Sequence, residues 1–499
     1  MAPDFDLVIR NGTIVTESGQ VQGDIGVRDG IIAGLGAGLA KGRSEIDATG
    51  WLALPGGIEA HCHIEQVSSY GLMGADDFYS GSVSAAFGGT TTIVPFACQH
   101  RGQRLPDVIA DYHRRASEKS ILDYSYHAMI TDPTEELITE HLPALIKSGI
   151  TSIKLFTAYD LMAVSDEQFL DLLAVCREHG AITMVHAENN GMIKWMAKNL
   201  LRRGYNAPRY HSVSHPRLAE IEAVNRSIAL ATLIGAPLVI VHVSTIDALE
   251  ATRAARARGV PVFGETCPQY VLLTAKDMDL PGYEGAKFCF SPPPRAEAEQ
   301  EALWKALADD ALQLFSSDHA PYRFDETGKF ARSTTPNFKD IANGIPGIEL
   351  RLPLLFSEGV VAGRISLQQF AALSAANAAK LYGLYPRKGV IAVGSDADLT
   401  LWDPQRRVQV CGADLHDNVD YSPYEGREIT GWPIIVIQRG NILVREGKLS
   451  AKPGSGLFIA RGRPMLAKLN AQHQLEPELD PHTNFGADIL PDNHVWNRH

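Results

Sequence analysis

The chain has 499 residues, 45% hydrophobic content and a formal net charge of −12. That composition supplies a large core and argues against a polyanionic partner such as nucleic acid, which calls for a basic face. The amino terminus has no basic stretch leading into an apolar one, and the most apolar run, Ile228 to Val243, is broken by Gly235 and Pro237, so neither a signal peptide nor a membrane span is expected.

Asp6 to Val15 and Gly23 to Leu35 read as short strands, with Asn11-Gly12 and Asp29-Gly30 as turn dipeptides. Eight apolar runs rich in Val, Ile and Thr follow: Leu52 to Ile64, Thr90 to Cys98, Asp123 to Ile130, Thr151 to Tyr159, Ala181 to Glu188, Pro237 to Ser244, Val260 to Thr266 and Ala311 to Ser317. Helix patterns lie between them. In one, Ser165 caps with Gln168 three residues on, Val164 staples to Phe169, and Gly180 stops the helix. Another starts near Thr245-Ile-Asp and stops at Gly259. Eight strand–helix units fit an α/β fold of the (β/α)8 TIM-barrel type. A doubly wound open sheet is disfavoured because no Gly-rich phosphate loop follows the first strand. Strand patterns return at Ala397 to Trp402 and Ile434 to Val444. The expected division is a small β-sandwich domain from residues 1–52 and 390–460, a barrel over 53–389, and a surface tail over 461–499. The six cysteines show no paired spacing, which fits reduced thiols and a cytoplasmic location.

The strand runs carry residues that do not belong in a core. His61 and His63 share one face of the first strand, so both imidazoles can reach one metal ion, while Cys62 points to the other face as a small apolar residue. His186 ends the run Ile182-Thr-Met-Val, and His242 ends Leu238-Val-Ile-Val. Lys154 sits inside Ser152-Ile-Lys-Leu-Phe, where a lysine is costly unless neutralised or paired. Any one buried histidine is more often a hydrogen-bonded core residue than a ligand. Four of them with Asp318 in one barrel layer are harder to explain that way, since each needs its own partner. Burial near cations lowers an amine's pKa and frees its lone pair to add CO2, which makes a two-oxygen anion suited to bridging metals.

The set His61-Cys-His63, Ile153-Lys154-Leu-Phe-Thr-Ala-Tyr159, Val185-His186-Ala-Glu-Asn, Val241-His242-Val-Ser-Thr, Ser317-Asp318-His-Ala-Pro and Asn343-Gly-Ile-Pro-Gly-Ile-Glu349 resembles the amidohydrolase superfamily. Within it the resemblance is to the dihydropyrimidinase/hydantoinase branch of cyclic amidases. It implies two divalent metals, zinc with manganese or cobalt as alternatives. One is held by His61, His63, N6-carboxylated Lys154 and Asp318; the other by the same carbamate with His186 and His242. It also implies Asp318 as general base and proton carrier, Tyr159 as the hydroxyl that stabilises the oxyanion, and Ser291 and Asn343 as the substrate-edge positions. The implied reaction opens a hydantoin or 5,6-dihydropyrimidine ring to an N-carbamoyl amino acid, and the implied assembly is a homotetramer.

The chain departs from the family pattern in two places. Glu59 stands where an Asp is usual, and Glu65-Gln66 to Tyr70 replaces a more apolar stretch, so a polar lining is expected beside the substrate's exocyclic group. A dihydroorotase-like enzyme would need an Arg after the second histidine, and Glu65 offers a substrate carboxylate the wrong sign there. A cyclic imide hydrolase or an allantoinase-like enzyme remains as an alternative. A noncatalytic dihydropyrimidinase-related binding or assembly protein is a remoter one, because such proteins have lost ligands that are all present here.

Overall fold

The computed structural model describes residues 4–465. Its first strand, β1 (Phe5–Thr16), pairs antiparallel with β2 (Gly19–Arg28), which pairs with β3 (Ile31–Gly36). Asp29-Gly30 turns the chain between β2 and β3, both residues at positive φ (52° and 77°), as a two-residue hairpin with matching twist requires. Asn11-Gly12 does not turn the chain. It forms a bulge inside β1, where Asn11 takes a left-handed φ of 58° and the pairing with β2 shifts register. Asn tolerates that conformation in either setting, so the dipeptide alone does not separate bulge from turn.

β4 (Gly42–Asp47) and β5 (Leu52–Pro55) run parallel to β1. The first long apolar run is therefore shared between two sheets. β5 stays with the terminal strands, and β6 (Gly57–Glu59) begins the barrel. Two further runs are each split: β7 (Thr90–Ile93) from β8 (Phe96–Cys98), and β9 (Asp123–Tyr124) from β10 (His127–Met129). Pro95, which has no N–H to give to a ladder, sits at the first break. Then come β11 (Ser152–Phe156), β12 (Ile182–His186), β13 (Leu238–Ile240), β14 (Val262–Thr266) and β15 (Leu314–Phe315), paired in parallel and in chain order from β8 and β10 onward. β6, β7 and β9 form a parallel companion sheet. The ring closes just beyond the first and last strands, where Cys62 bridges His319 in parallel and the His63 N–H donates to the His319 carbonyl at 2.7 Å. The eight sequence runs thus supply the eight staves of a (β/α)8 barrel. Both helices with readable ends form. Asp166–His179 has the Ser165–Gln168 capping box and a left-handed Gly180, and Ile246–Ala257 is capped by Thr245.

β16 (Leu399–Gln409) pairs with β5 and with β17 (Glu428–Gln438), followed by β18 (Asn441–Arg445) and β19 (Lys448–Leu449). Segments before and after the barrel thus build one nine-stranded sheet around a separate core that includes Ile9, Ile25, Leu399 and Ile435. Past β19 the chain returns to the barrel as a strap. Tyr124 exchanges backbone hydrogen bonds with Leu457 (2.9 Å) and Ile459 (2.7 Å), and buried Arg461 donates to Ser125 and Ser152 side chains. The remainder of the expected tail, residues 466–499, lies outside the described residues. All six cysteines are free thiols, five of them buried.

Candidate active site

The residues that end the barrel strands converge. The His61 Nε2 lies 3.0 Å from Asp318 Oδ1 and 3.5 Å from the Lys154 Nζ. The His63 Nε2 lies 3.2 Å from the same Asp318 oxygen. Across the barrel, the His186 Nδ1 and His242 Nε2 face each other at 2.9 Å. Lys154 is fully buried between the rings of Phe96 and Phe156, at 4.7 and 5.2 Å, and burial pushes its amine down to about 8. Burial acts against the Asp318 carboxylate, but His61 and His63 outweigh it and hold the group well below the usual range.

Three of these positions adopt backbone that non-glycine residues avoid: Tyr159 (φ 68°), His242 (φ 40°) and Asp318 (φ 50°). Such strain costs on the order of 1–3 kcal/mol each and persists only where the surroundings enforce it, most often at working sites. Here each sits just past a barrel strand, where the chain turns to aim its side chain over the barrel mouth.

Carboxylates outside the expected set orient the imidazoles. The His61 Nδ1 meets Glu265 Oε1 at 2.5 Å, and the His186 Nε2 meets Glu188 Oε2 at 2.8 Å, whose other oxygen takes the His215 Nδ1 at 2.9 Å. A carboxylate on the far nitrogen fixes ring and tautomer and strengthens the near nitrogen as a donor to a cation. Sequence reasoning passed over all three residues, yet a signal was present. Glu265 lies inside a buried strand as Lys154 does, and Glu188 follows His186 by two residues, just past the end of its strand. Glu59 is buried too. Its carboxylate accepts from the His61 N–H (2.8 Å) and the Ser317 N–H (3.1 Å) and pairs with Arg351 at 3.0 Å. Its longer arm joins the first and last staves where the barrel closes.

The donor set fits a divalent cation on two counts. One ligand atom each from His61, His242 and Asp318 lie within 4.8 Å of one another. The His242 Nδ1 is buried with no hydrogen-bond partner, and an imidazole nitrogen left that way is costly unless something binds it.

A cavity of about 500 Å³ opens over this cluster, within the range of small-molecule sites. Tyr159, Ser291 and Asn343 all line it. Burial raises the Tyr159 phenol well above its ordinary value, so it remains a proton donor at neutral pH. The Ser291 Oγ lies 3.3 Å from the His211 Nε2. The segments carrying Ser291 and Asn343 are tied together by Lys329, a buried residue the sequence did not single out. Its Nζ donates to the carbonyls of Cys289 (2.9 Å), Ala342 (2.9 Å) and Gly344 (2.6 Å). Gly344 has φ 138°, and a Cβ there would meet the Ala320 carbonyl oxygen at 2.4 Å, so only glycine fits.

The loop after His63 differs from expectation at Glu65. Gln66, Ser68, Ser69 and Tyr70 line the cavity, but Glu65 does not. With φ at 48° it turns inward, where its carboxylate accepts from the Phe78 N–H (3.1 Å) and from Lys119 (2.8 Å). Two basic neighbours, Lys119 and Arg115, made inward burial the better-compensated choice. The acidic repulsion expected at the substrate's exocyclic group is therefore absent from this wall. Gln66 takes the inner place, its Oε1 accepting from the His63 Nδ1–H at 2.8 Å.

A parallel barrel whose strand ends gather histidines, a buried lysine and an aspartate has the build of a metal-dependent hydrolase. Residues 52–443 match the Amidohydrolase family. A D-hydantoinase of Ralstonia pickettii is 42% identical over 458 residues, covering 92% of this chain and 99% of that protein. A D-hydantoinase of Geobacillus stearothermophilus is 42% identical over 459 residues, 91% of this chain and 96% of its own. The crystal structure of a dihydropyrimidinase from Brevibacillus agri NCHU1002 superposes with a TM-score of 0.89 at 41% identity, covering 91% of this chain and 98% of the other. The chain belongs to the amidohydrolase family, whose centres hold two divalent metals. No helix among the described residues is long and apolar enough to cross a membrane.

Proposed function

We propose that the protein is a metal-dependent cyclic amide hydrolase that opens hydantoin or 5,6-dihydropyrimidine rings to N-carbamoyl amino acids. The convergence of His61, Lys154, His242 and Asp318 beneath one cavity carries this reading, and the D-hydantoinase relatives support it. In this reading the barrel of residues 53–389 carries the chemistry on a β unit from 1–52 and 390–460. The enzyme works in the cytoplasm as a homotetramer.

His61, His63, Lys154 as its N6-carboxylate and Asp318 would hold one divalent ion, and the Lys154 carboxylate with His186 and His242 would hold the other. Zinc suits this donor set, with manganese or cobalt as substitutes. When bound, the ions supply Lewis acidity and a nucleophile at neutral pH. The carbamate forms when the neutral Lys154 Nζ adds to the carbon of CO2 and gives up a proton, leaving one negative charge over two oxygens. Backbone groups at Ser291 and Asn343 hold the ring's N–C=O edge. Asp318 takes a proton from the attacking water and delivers it to the ring nitrogen as the C–N bond breaks. The Tyr159 hydroxyl donates to the oxygen that gains charge when the carbonyl carbon becomes tetrahedral.

Ring-opening rates of metal-quantified enzyme on hydantoin, 5-substituted hydantoins, dihydrouracil, allantoin, dihydroorotate and succinimide test the assignment. Turnover of hydantoins or dihydrouracil is expected. Activity confined to succinimide, or no turnover with two metals bound, would mean that the loop after His63 has redirected the site, and failure of the purified protein to retain any metal would favour the noncatalytic reading.

Two substitutions probe single side chains. Tyr159→Phe is expected to lower kcat by about 10²–10³, the scale of one lost oxyanion donor, with little change in KM. Steady-state kinetics showing an unchanged kcat would remove Tyr159 from the reaction. Lys329→Met strips three carbonyls of their shared donor, and a buried acceptor left unpaired costs about 1–3 kcal/mol. A lower melting temperature and a several-fold higher KM are expected together, because the same segments carry Ser291 and Asn343. A raised KM is the informative part; destabilisation alone would confine Lys329 to the fold.

A further inference from the structure

The mouth of the cavity carries a charge opposite to that of the chain. Beyond the strand-end cluster, its charged lining residues are Asp160, Lys194, Arg332 and Lys339, a balance of +2 on a protein of net −12. Lys194 is spoken for, with its Nζ 2.9 Å from Asp160. Arg332 and Lys339 have no carboxylate within ion-pair distance among the described residues. The Arg332 Nη1 donates to the Lys339 carbonyl at 3.1 Å, and its guanidinium lies over the Tyr70 ring, 4.6 Å from the ring centre. These two contacts hold the guanidinium at the rim and leave most of its donors free. The one acid expected on this wall, Glu65, is turned into the protein and paired there.

We infer that the exocyclic substituent accepted by this cavity is anionic: a short methylene stem on the ring carbon ending in a carboxylate, met by Arg332 and Lys339. The inference rests on the cyclic amidase reading and names its substrate class. A guanidinium presents a planar fork matched to a carboxylate's two oxygens, and an aromatic face beneath it restricts its swing. A positive rim on a negative protein also concentrates small anions locally. Both cations are exposed, so the preference is moderate, about 2- to 30-fold for two such contacts. It should weaken with salt, since screening acts over about 8 Å at physiological ionic strength.

The test compares kcat/KM for 5-(2-carboxyethyl)hydantoin with that for its near-isosteric amide, 5-(2-carbamoylethyl)hydantoin. Unsubstituted hydantoin serves as the reference rate. The unaltered enzyme, Arg332→Gln, Lys339→Gln and the double variant are assayed at low and high salt. An acid-to-amide ratio of about ten that falls with salt, and approaches one in the double variant, is the expected result. A ratio at or below one in the unaltered enzyme, or one that survives both substitutions, overturns the inference. If hydantoin opens but the acid is not preferred, only the inference fails. If metal-loaded enzyme opens none of the three rings, the cyclic amidase reading falls and takes the inference with it.

Discussion

Lys154→Ala is expected to abolish bridged metal binding and to lower kcat by at least about 10³-fold, because it removes the one side chain assigned to both ions. The residue is buried against Phe96 and Phe156 with no carboxylate within ion-pair distance among the described residues, so alanine leaves a small gap beside His61 and no orphaned partner charge. The fold should persist. Metal content per chain and ring-opening rate are the two readings, taken with and without added acetate or propionate. A small carboxylic acid can occupy the gap and present the two oxygens that the carbamate would have supplied, so partial rescue is expected. Two metals retained with full activity in the unrescued variant would dismiss the carbamate.

Asp318→Asn is expected to lower kcat by about 10²–10⁴, the usual worth of a positioned acid–base group, while leaving the melting temperature close to that of the unaltered protein. The choice of asparagine matters because residue 318 has φ 50°, a conformation that Asn tolerates and Ala does not. The amide keeps the shape and loses the ability to take and return a proton. His61 and His63 both lie against the same Asp318 oxygen, so crystallographic or calorimetric metal occupancy should accompany the rates. Near-normal kcat with metals in place would remove the proton-carrying role.

Much of this site was legible from the chain because barrel strands announce themselves. Runs such as Ile182-Thr-Met-Val-His186 are apolar on both faces, as strands covered by helices must be, and a polar residue at their ends stands out against that background. Other features depended on what lay across space. Glu65 followed a metal-type histidine pair and read as a cavity residue, but its fate was decided by Lys119 and Arg115, about fifty residues away. Lys329 sits in a stretch without strand or helix periodicity, and its partners are backbone carbonyls, which leave no trace in side-chain identity. Asn11-Gly12 permits positive φ but does not say whether a turn or a bulge will use it. Leu52 to Ile64 reads as one apolar run, yet Pro55-Gly56-Gly57 inside it is a breaker signal and falls where the chain leaves one sheet for the other.

That shared run has a consequence for how the protein is made. β5 emerges early but pairs on one side with β16, which begins at Leu399. At about 5–20 residues per second, a ribosome takes roughly 20–70 s to deliver that partner. During the interval the nascent chain holds an apolar edge with unclaimed backbone donors and acceptors, the kind of edge that recruits strands from other molecules. The strap at Leu457 to Arg461 comes later still, so the last barrel contacts wait until after β16 and β17 have emerged. Yield of soluble protein should therefore depend on translation speed and holding chaperones more than the stability of the finished molecule suggests.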